Sequence, residues 1–154
     1  MKIKNTRIDW FIEMICILLL GGITLYLILS WSTIPDKIPM HFNVAGQVDR
    51  WGNKIEIIFM PIVSWLLYGF ITVMEQFPQI WNTGVMITEE NAYRVYRILK
   101  NMIQITKLLV VIMFFYITIC SIFAINMSMW ASVIELVLIF ENLILGVVKL
   151  YKNR

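Results

Sequence analysis

One histidine, two cysteines and four prolines are all that 154 residues hold of those types, and charged side chains make up only 15%. Each shortage excludes something. A single imidazole, His41, with no cysteine near it falls short of the ligand count of a structural or catalytic zinc site. Cys16 and Cys120 lie far apart inside apolar runs, where a thiol behaves as a small buried hydrophobe, so neither a disulfide nor CxxC chemistry is expected. G-x-S-x-G, H-E-x-x-H and a glycine-rich phosphate loop are all missing, as is a Ser or Cys with an identifiable base. The balance is therefore against an enzyme, and no cofactor is expected. A formal charge of +3 is spread beside apolar stretches and forms no basic domain, so nucleic acid is not an expected partner.

What is present is hydrocarbon. Hydrophobic residues make up 60% of the chain, and its mean hydropathy is +0.77. The charges are bunched, which leaves apolar runs near the roughly 20 residues a helix needs to cross a core of about 30 Å. The expected fold is all-α integral membrane, a single domain over 1–154 with four transmembrane helices at about 10–31, 56–74, 103–125 and 130–150. Tryptophans near the ends of the first span suit the headgroup region. That span lacks a small-x-small cleavage site and is too long for a signal-peptide core, so it reads as retained. Gly21-Gly22 within it would admit a close helix neighbour, and Pro61 falls in the first turns of the second span, where a missing N–H is tolerated.

Between the second and third spans the pattern changes. Residues 75–102 form a loop in which Thr88 resembles an N-cap followed by Glu89 and Glu90. Tyr93, Tyr96, Leu99 and Ile103 then recur at helical spacing, with Arg94, Arg97, Asn101 and Gln104 on other faces. This predicts a basic amphipathic helix lying along the membrane surface before the third span. Orientation follows from the cations. With the N-terminus inside, Lys2, Lys4, Arg7, Arg94, Arg97, Lys100, Lys107, Lys149, Lys152 and Arg154 face the cytoplasm, ten of thirteen. The positive-inside rule thus predicts N-in, C-in topology in the cell membrane.

The segment 32–55 would then face outward. It is polar and proline-bearing, and Pro35, Ile38, Pro39, His41, Phe42, Asn43, Gly46, Asp49, Trp51, Gly52 and Lys54 fall in one order and spacing. On these residues the chain resembles the small membrane domain at the N-terminus of SdpI-type bacterial immunity proteins. In full-length immunity proteins further spans follow this domain, and they protect the producing cell from a secreted peptide toxin and sequester a repressor at the membrane. The resemblance implies an integral membrane domain with a patterned extracytoplasmic loop, and an antimicrobial peptide or a cytoplasmic regulator as partner.

Read from its residues, the loop is a folded cap. Two prolines restrict the backbone, Gly46 and Gly52 permit turns, and Phe42 and Trp51 sit at the interface. Asp36, His41, Asn43, Asp49, Arg50, Trp51 and Lys54 then form either a shape-holding network or a ligand site. His41 and Asp49 are the weak candidates for a metal site, against the plainer reading of a hydrogen-bonded histidine, which is preferred. Arg50 and Lys54 would receive a phosphate or carboxylate, or pair with Asp36 and Asp49.

Glu135, Glu141 and Asn142 stand inside the fourth span, where a carboxylate is costly and is by default a functional candidate. No Lys or Arg is expected at their depth. Three functional readings remain open. The first is a non-enzymatic protein that binds a peptide or lipid through its outer loop and helix bundle, giving protection against or sensing of an antimicrobial peptide. The second is a small ion- or proton-coupled transporter, for which four spans would call for a homo-oligomer. The third is a loop-based metal-dependent or lipid-modifying enzyme. Membrane lipid is a partner in all three.

Overall fold

The computed structural model describes residues 3–153, so Lys2 and Arg154 of the cation tally lie outside the described residues. Helix α1 spans Arg7–Ser30, and its start is fixed by a capping box in which Thr6 accepts from the Asp9 N–H while Asp9 accepts from the Thr6 N–H. Two strands follow, β1 at Lys37–Phe42 and β2 at Val48–Asn53, paired antiparallel. A 3-10 turn at Lys54–Ile58 leads into α2, Phe59–Met74, with Pro61 in its first turn. After a 3-10 turn at Pro78–Ile80 comes α3, Ala92–Ile122, and then α4, Met129–Lys152.

Four helical stretches are long and apolar enough to cross a membrane, with window hydropathies of 2.1–2.4. Their apolar faces are largely turned outward rather than into a shared core. In water that distribution would expose large side chains such as Leu29, Phe70 and Phe140 without compensation; in lipid it is the expected state. The chain is a multi-pass helical membrane protein.

Helix α3 is the axis of the bundle, touching α1, α2 and α4, and is the most buried of the four. Here the structure corrects the expected surface helix. The stretch from 92 onward is not a separate element: it runs straight into the span as one 31-residue helix. At 1.5 Å per residue that is about 46 Å, longer than a hydrocarbon core of about 30 Å. Of the polar residues expected on its other faces, Arg94 and Asn101 are exposed, Arg97 is half-buried and Gln104 is buried. Lys100, Gln104 and Lys107 are all buried, facing the ends of α1 and α2, because partners there offset the cost of burial.

The helix also starts later than Thr88 suggests. Thr88 and Asn91 exchange reciprocal side-chain bonds (Asn91 N–H to Thr88 Oγ1 3.2 Å, Thr88 N–H to Asn91 Oδ1 2.8 Å), closing a turn ahead of α3. Gly21 and Gly22 have open space where a Cβ would stand, so no helix uses them for close approach. Close packing occurs at Gly146 of α4, where a Cβ would fall on the Met102 side chain of α3. Cys16 and Cys120 are both buried and free.

The hairpin is seated by its apolar residues. Ile34, Ile38 and Ile57 are buried against Ile23 and Leu27 of α1 and Ile122 of α3, so the base of the hairpin is continuous with the core at that end of the bundle. Its tip is held by the α3–α4 connection: the Met127 N–H donates to the Gly46 carbonyl (2.8 Å) and the Val48 N–H to Asn126 Oδ1 (3.3 Å). Gly46 sits at φ +77° with the Met127 carbonyl where a Cβ would be, a position glycine fills without strain. Gly52, expected to permit a turn, instead lies within β2, packed against the Glu56 carboxylate and Met40.

Candidate functional site

Six of the seven polar and aromatic loop residues are tied into pairs within or beside the hairpin. His41 Nδ1 lies 2.6 Å from Asp49 Oδ1, Lys54 Nζ 3.0 Å from Asp36 Oδ1, and Arg50 Nη1 3.2 Å from Glu56 Oε2. Asp36 with Lys54 is one of the pairings the sequence allows. Arg50 differs, taking Glu56 rather than an aspartate because Asp49 is engaged by His41. Glu56 is held for the purpose: its Oε1 accepts from the Asn53 N–H (3.0 Å), closing a capping box at the foot of β2. Asn43 shapes the turn, its Oδ1 accepting from the Gln47 N–H (3.0 Å) while its own N–H donates to the Gln47 carbonyl.

These pairs are solvent-facing, and exposed pairs contribute little to stability. What they do is neutralise the hairpin's charges in fixed positions. Trp51 is left more than half exposed on β2, and Lys54 lies 5.5 Å from the centre of the Trp31 ring. Strand β1 is the buried strand, and β2 forms the outer one, exposed at Asp49, Arg50, Trp51 and Asn53. With only two strands in the sheet, one long edge of β2 has no strand beside it.

Beneath the hairpin an open cleft of about 470 Å³ separates it from α3 and α4. A β-bulge in β1 around Met40 shifts the register, pairing Pro39 with Trp51 and His41 with Arg50, and both Met40 and His41 line this cleft. Glu135 of α4 lines its other wall, with a buried Oε1 that has no hydrogen-bond partner among the described residues. Thus one of the intramembrane carboxylates joins the loop residues in space. The other two polar residues of α4 do not. Asn142 donates to the Met102 carbonyl and to Thr106 Oγ1, both at 3.0 Å, bonding α4 to α3. Glu141 borders a separate cavity of about 300 Å³ with Asn101 and Lys149.

At the opposite end the structure holds a cluster that the sequence reading does not assemble. Lys107, fully buried in α3, bonds Glu13 of α1 and lies 2.7 Å from Glu75 Oε1 at the end of α2. Tyr68 donates to Glu13 Oε2 (2.6 Å), Gln104 to Glu75 Oε2 (3.0 Å), and Lys107 also reaches Thr72 (3.2 Å). Beside it Arg97 pairs with buried Asp9 at 2.7 Å, and Lys100 bonds Asn5 and the Ile3 carbonyl. The expectation that no cation lies at depth is therefore wrong for Lys107. Three acids and three bases sum to zero, which makes the cluster a self-compensated bolt between α1, α2 and α3. A signal existed: Lys107 falls inside the expected third span, and an ionisable residue there calls for a named partner.

Comparison with known proteins agrees with this architecture at the level of a domain. Residues 18–64, from the middle of α1 through the hairpin into α2, match the family described as "Domain of unknown function (DUF1648)". The hairpin lies at the centre of the matched stretch. An uncharacterized protein of Archaeoglobus fulgidus is 26% identical over 100 residues, covering 55% of each chain, so the chain spans about half the length of that curated relative. No solved structure matches.

Proposed function

We propose that the protein is a non-enzymatic membrane receptor for a peptide at the outer surface of the cell membrane, giving protection against, or sensing of, a membrane-active peptide. The reading rests on N-in, C-in topology, which the distribution of cations supports and which turns the hairpin outward. The observation that carries it is the long edge of β2 that no strand covers, beyond Val48, whose N–H is taken by Asn126 Oδ1. A strand with a free row of N–H and C=O groups is a template for an added strand, a mode in which main-chain bonds give affinity and neighbouring side chains give specificity.

The hairpin suits that role. Its base is anchored in the bundle core and its tip is tied to the α3–α4 connection, so little ordering remains for the peptide's arrival to drive. Trp51 offers an exposed aromatic anchor, and Arg50 and Lys54 flank the edge. A peptide that has reached the headgroup region lies at the level of this edge. The likeness to the immunity-protein domain supports the same reading.

The test is heterologous expression in a peptide-sensitive bacterium, followed by challenge with a panel of membrane-active peptides and by binding of the same peptides to the protein in nanodiscs. Protection that is reduced in Trp51→Ala and Arg50→Ala variants of normal abundance is the expected result. Equal killing with and without the protein, together with no binding in nanodiscs, would overturn the proposal.

A further inference from the structure

Half of the chain's ten methionines line a single cleft. Met40 comes from β1, Met60 from α2, Met113 from α3, Met127 from the α3–α4 connection and Met129 from the start of α4, so the convergence is made by the fold and by no local run of sequence. Thioether sulfur is a soft, polarizable donor that favours cuprous copper over the hard cations. The same cleft is lined by His41, whose Nδ1 is committed to Asp49 at 2.6 Å. With Nδ1–H donating to that carboxylate, the lone pair is left on Nε2, the arrangement in which a carboxylate orients a metal-ligating imidazole.

The charge in the cleft points the same way. Glu135 presents a buried carboxylate oxygen with no hydrogen-bond partner among the described residues, and no Lys or Arg lines the cleft. A carboxyl group buried there is charged only with a cation beside it. Oxygen donors are few there, with Ser132 and Asn43 beside Glu135, which disfavours calcium or magnesium and their six or more oxygen ligands. Soft neutral donors, one oriented imidazole and one buried carboxyl group together describe a site for a soft monovalent cation.

We infer that the cleft between the hairpin and α4 binds cuprous copper through methionine sulfurs and His41 Nε2, with Glu135 balancing its charge and Asp49 positioning the imidazole. The site faces the bundle, on the other side of the hairpin from the β2 edge, and does not depend on the peptide reading.

The test is anaerobic titration of the purified protein in detergent with cuprous ion against a chromophoric cuprous chelator, repeated in a Cys16→Ala/Cys120→Ala background so that thiols contribute nothing. One copper per chain is expected in both. Met40→Leu/Met127→Leu keeps the apolar volume while removing two sulfurs; it should lower affinity with the thermal transition of the metal-free protein unchanged. Asp49→Asn should weaken binding by roughly 10- to 100-fold, the usual effect of removing a carboxylate behind a ligating histidine. Silver(I) should compete, and zinc should not. Absence of binding in the cysteine-free background, or undiminished affinity in the Met→Leu double variant, would overturn the inference. Peptide protection measured without added copper is a separate readout, so either proposal can fail alone.

Discussion

Replacing Lys107 by Met removes the single cation shared by Glu13 and Glu75 and should be the most damaging single change in the bundle. Its ammonium is fully buried, and the two carboxylates are 13% and 7% exposed on the side-chain scale, so water does little to compensate. What remains after the substitution is the Tyr68 hydroxyl on Glu13 and the Gln104 amide on Glu75. Removing one partner of a buried ion pair destabilises by about 3–5 kcal/mol, and two carboxylates lose their counter-charge here, which places the variant toward the upper end. That is roughly a 10²- to 10³-fold shift of the folding equilibrium or more, at 1.36 kcal/mol per decade. Glu13→Gln should be milder, because Lys107 keeps Glu75. The triple variant Glu13→Gln/Glu75→Gln/Lys107→Met removes all three charges and should recover most of the loss, since neutral replacement of a whole buried ion group is often tolerated. Unfolding by graded denaturing detergent in bicelles measures the series. A Lys107→Met protein within about 0.5 kcal/mol of wild type, the measured scale of surface substitutions, would refute the buried triad.

Gly46→Ala should loosen the hairpin without unfolding the helices. Its Cβ would fall on the Met127 carbonyl oxygen at a backbone φ of +77°, and hydrogen exchange should accelerate at 43–48 and 126–128 while α1 to α4 stay protected. Asn142→Leu deletes both donor bonds from α4 to α3; a loss of about 0.6–2 kcal/mol is expected in the same bicelle unfolding assay, and wild-type stability would contradict those bonds. Arg97→Met strands Asp9, 2% exposed, and frees the Lys4 carbonyl. Proteolysis near the N-terminus should become faster than in wild type, and unchanged cleavage would argue against that tether.

Hydrophobic run length placed three of the four long apolar helices to within a few residues, because an outward-facing apolar helix carries its environment in its own composition. The expected 10–31, 56–74 and 130–150 compare with Arg7–Ser30, Lys54–Met74 and Met129–Lys152. The third was misread for a physical reason. Arg97 and Gln104 read as part of the polar face of a surface helix until their partners are known, and those partners lie far off in sequence, 88 residues away for Arg97 and Asp9. Periodicity marks a polar face but carries no information about what faces it. The hairpin was half legible: its turn-forming and polar residues stood out, but strand pairing between Lys37 and Asn53 is set by packing on Ile38 and Ile57, which no local pattern announces. Glu135 stood out by its depth, while its meeting with the methionines of four elements required the fold.

The central claim is that four crossings place the hairpin on the outer face, with both termini inside. It is tested most directly by single cysteines in a Cys16→Ala/Cys120→Ala background, probed with a membrane-impermeant maleimide on intact cells. Cysteine at Ala45, beside the hairpin tip, should label in intact cells, while cysteine at Thr83, in the connection between α2 and α3, should label only after lysis. Labelling of residue 83 in intact cells with residue 45 protected would contradict the account.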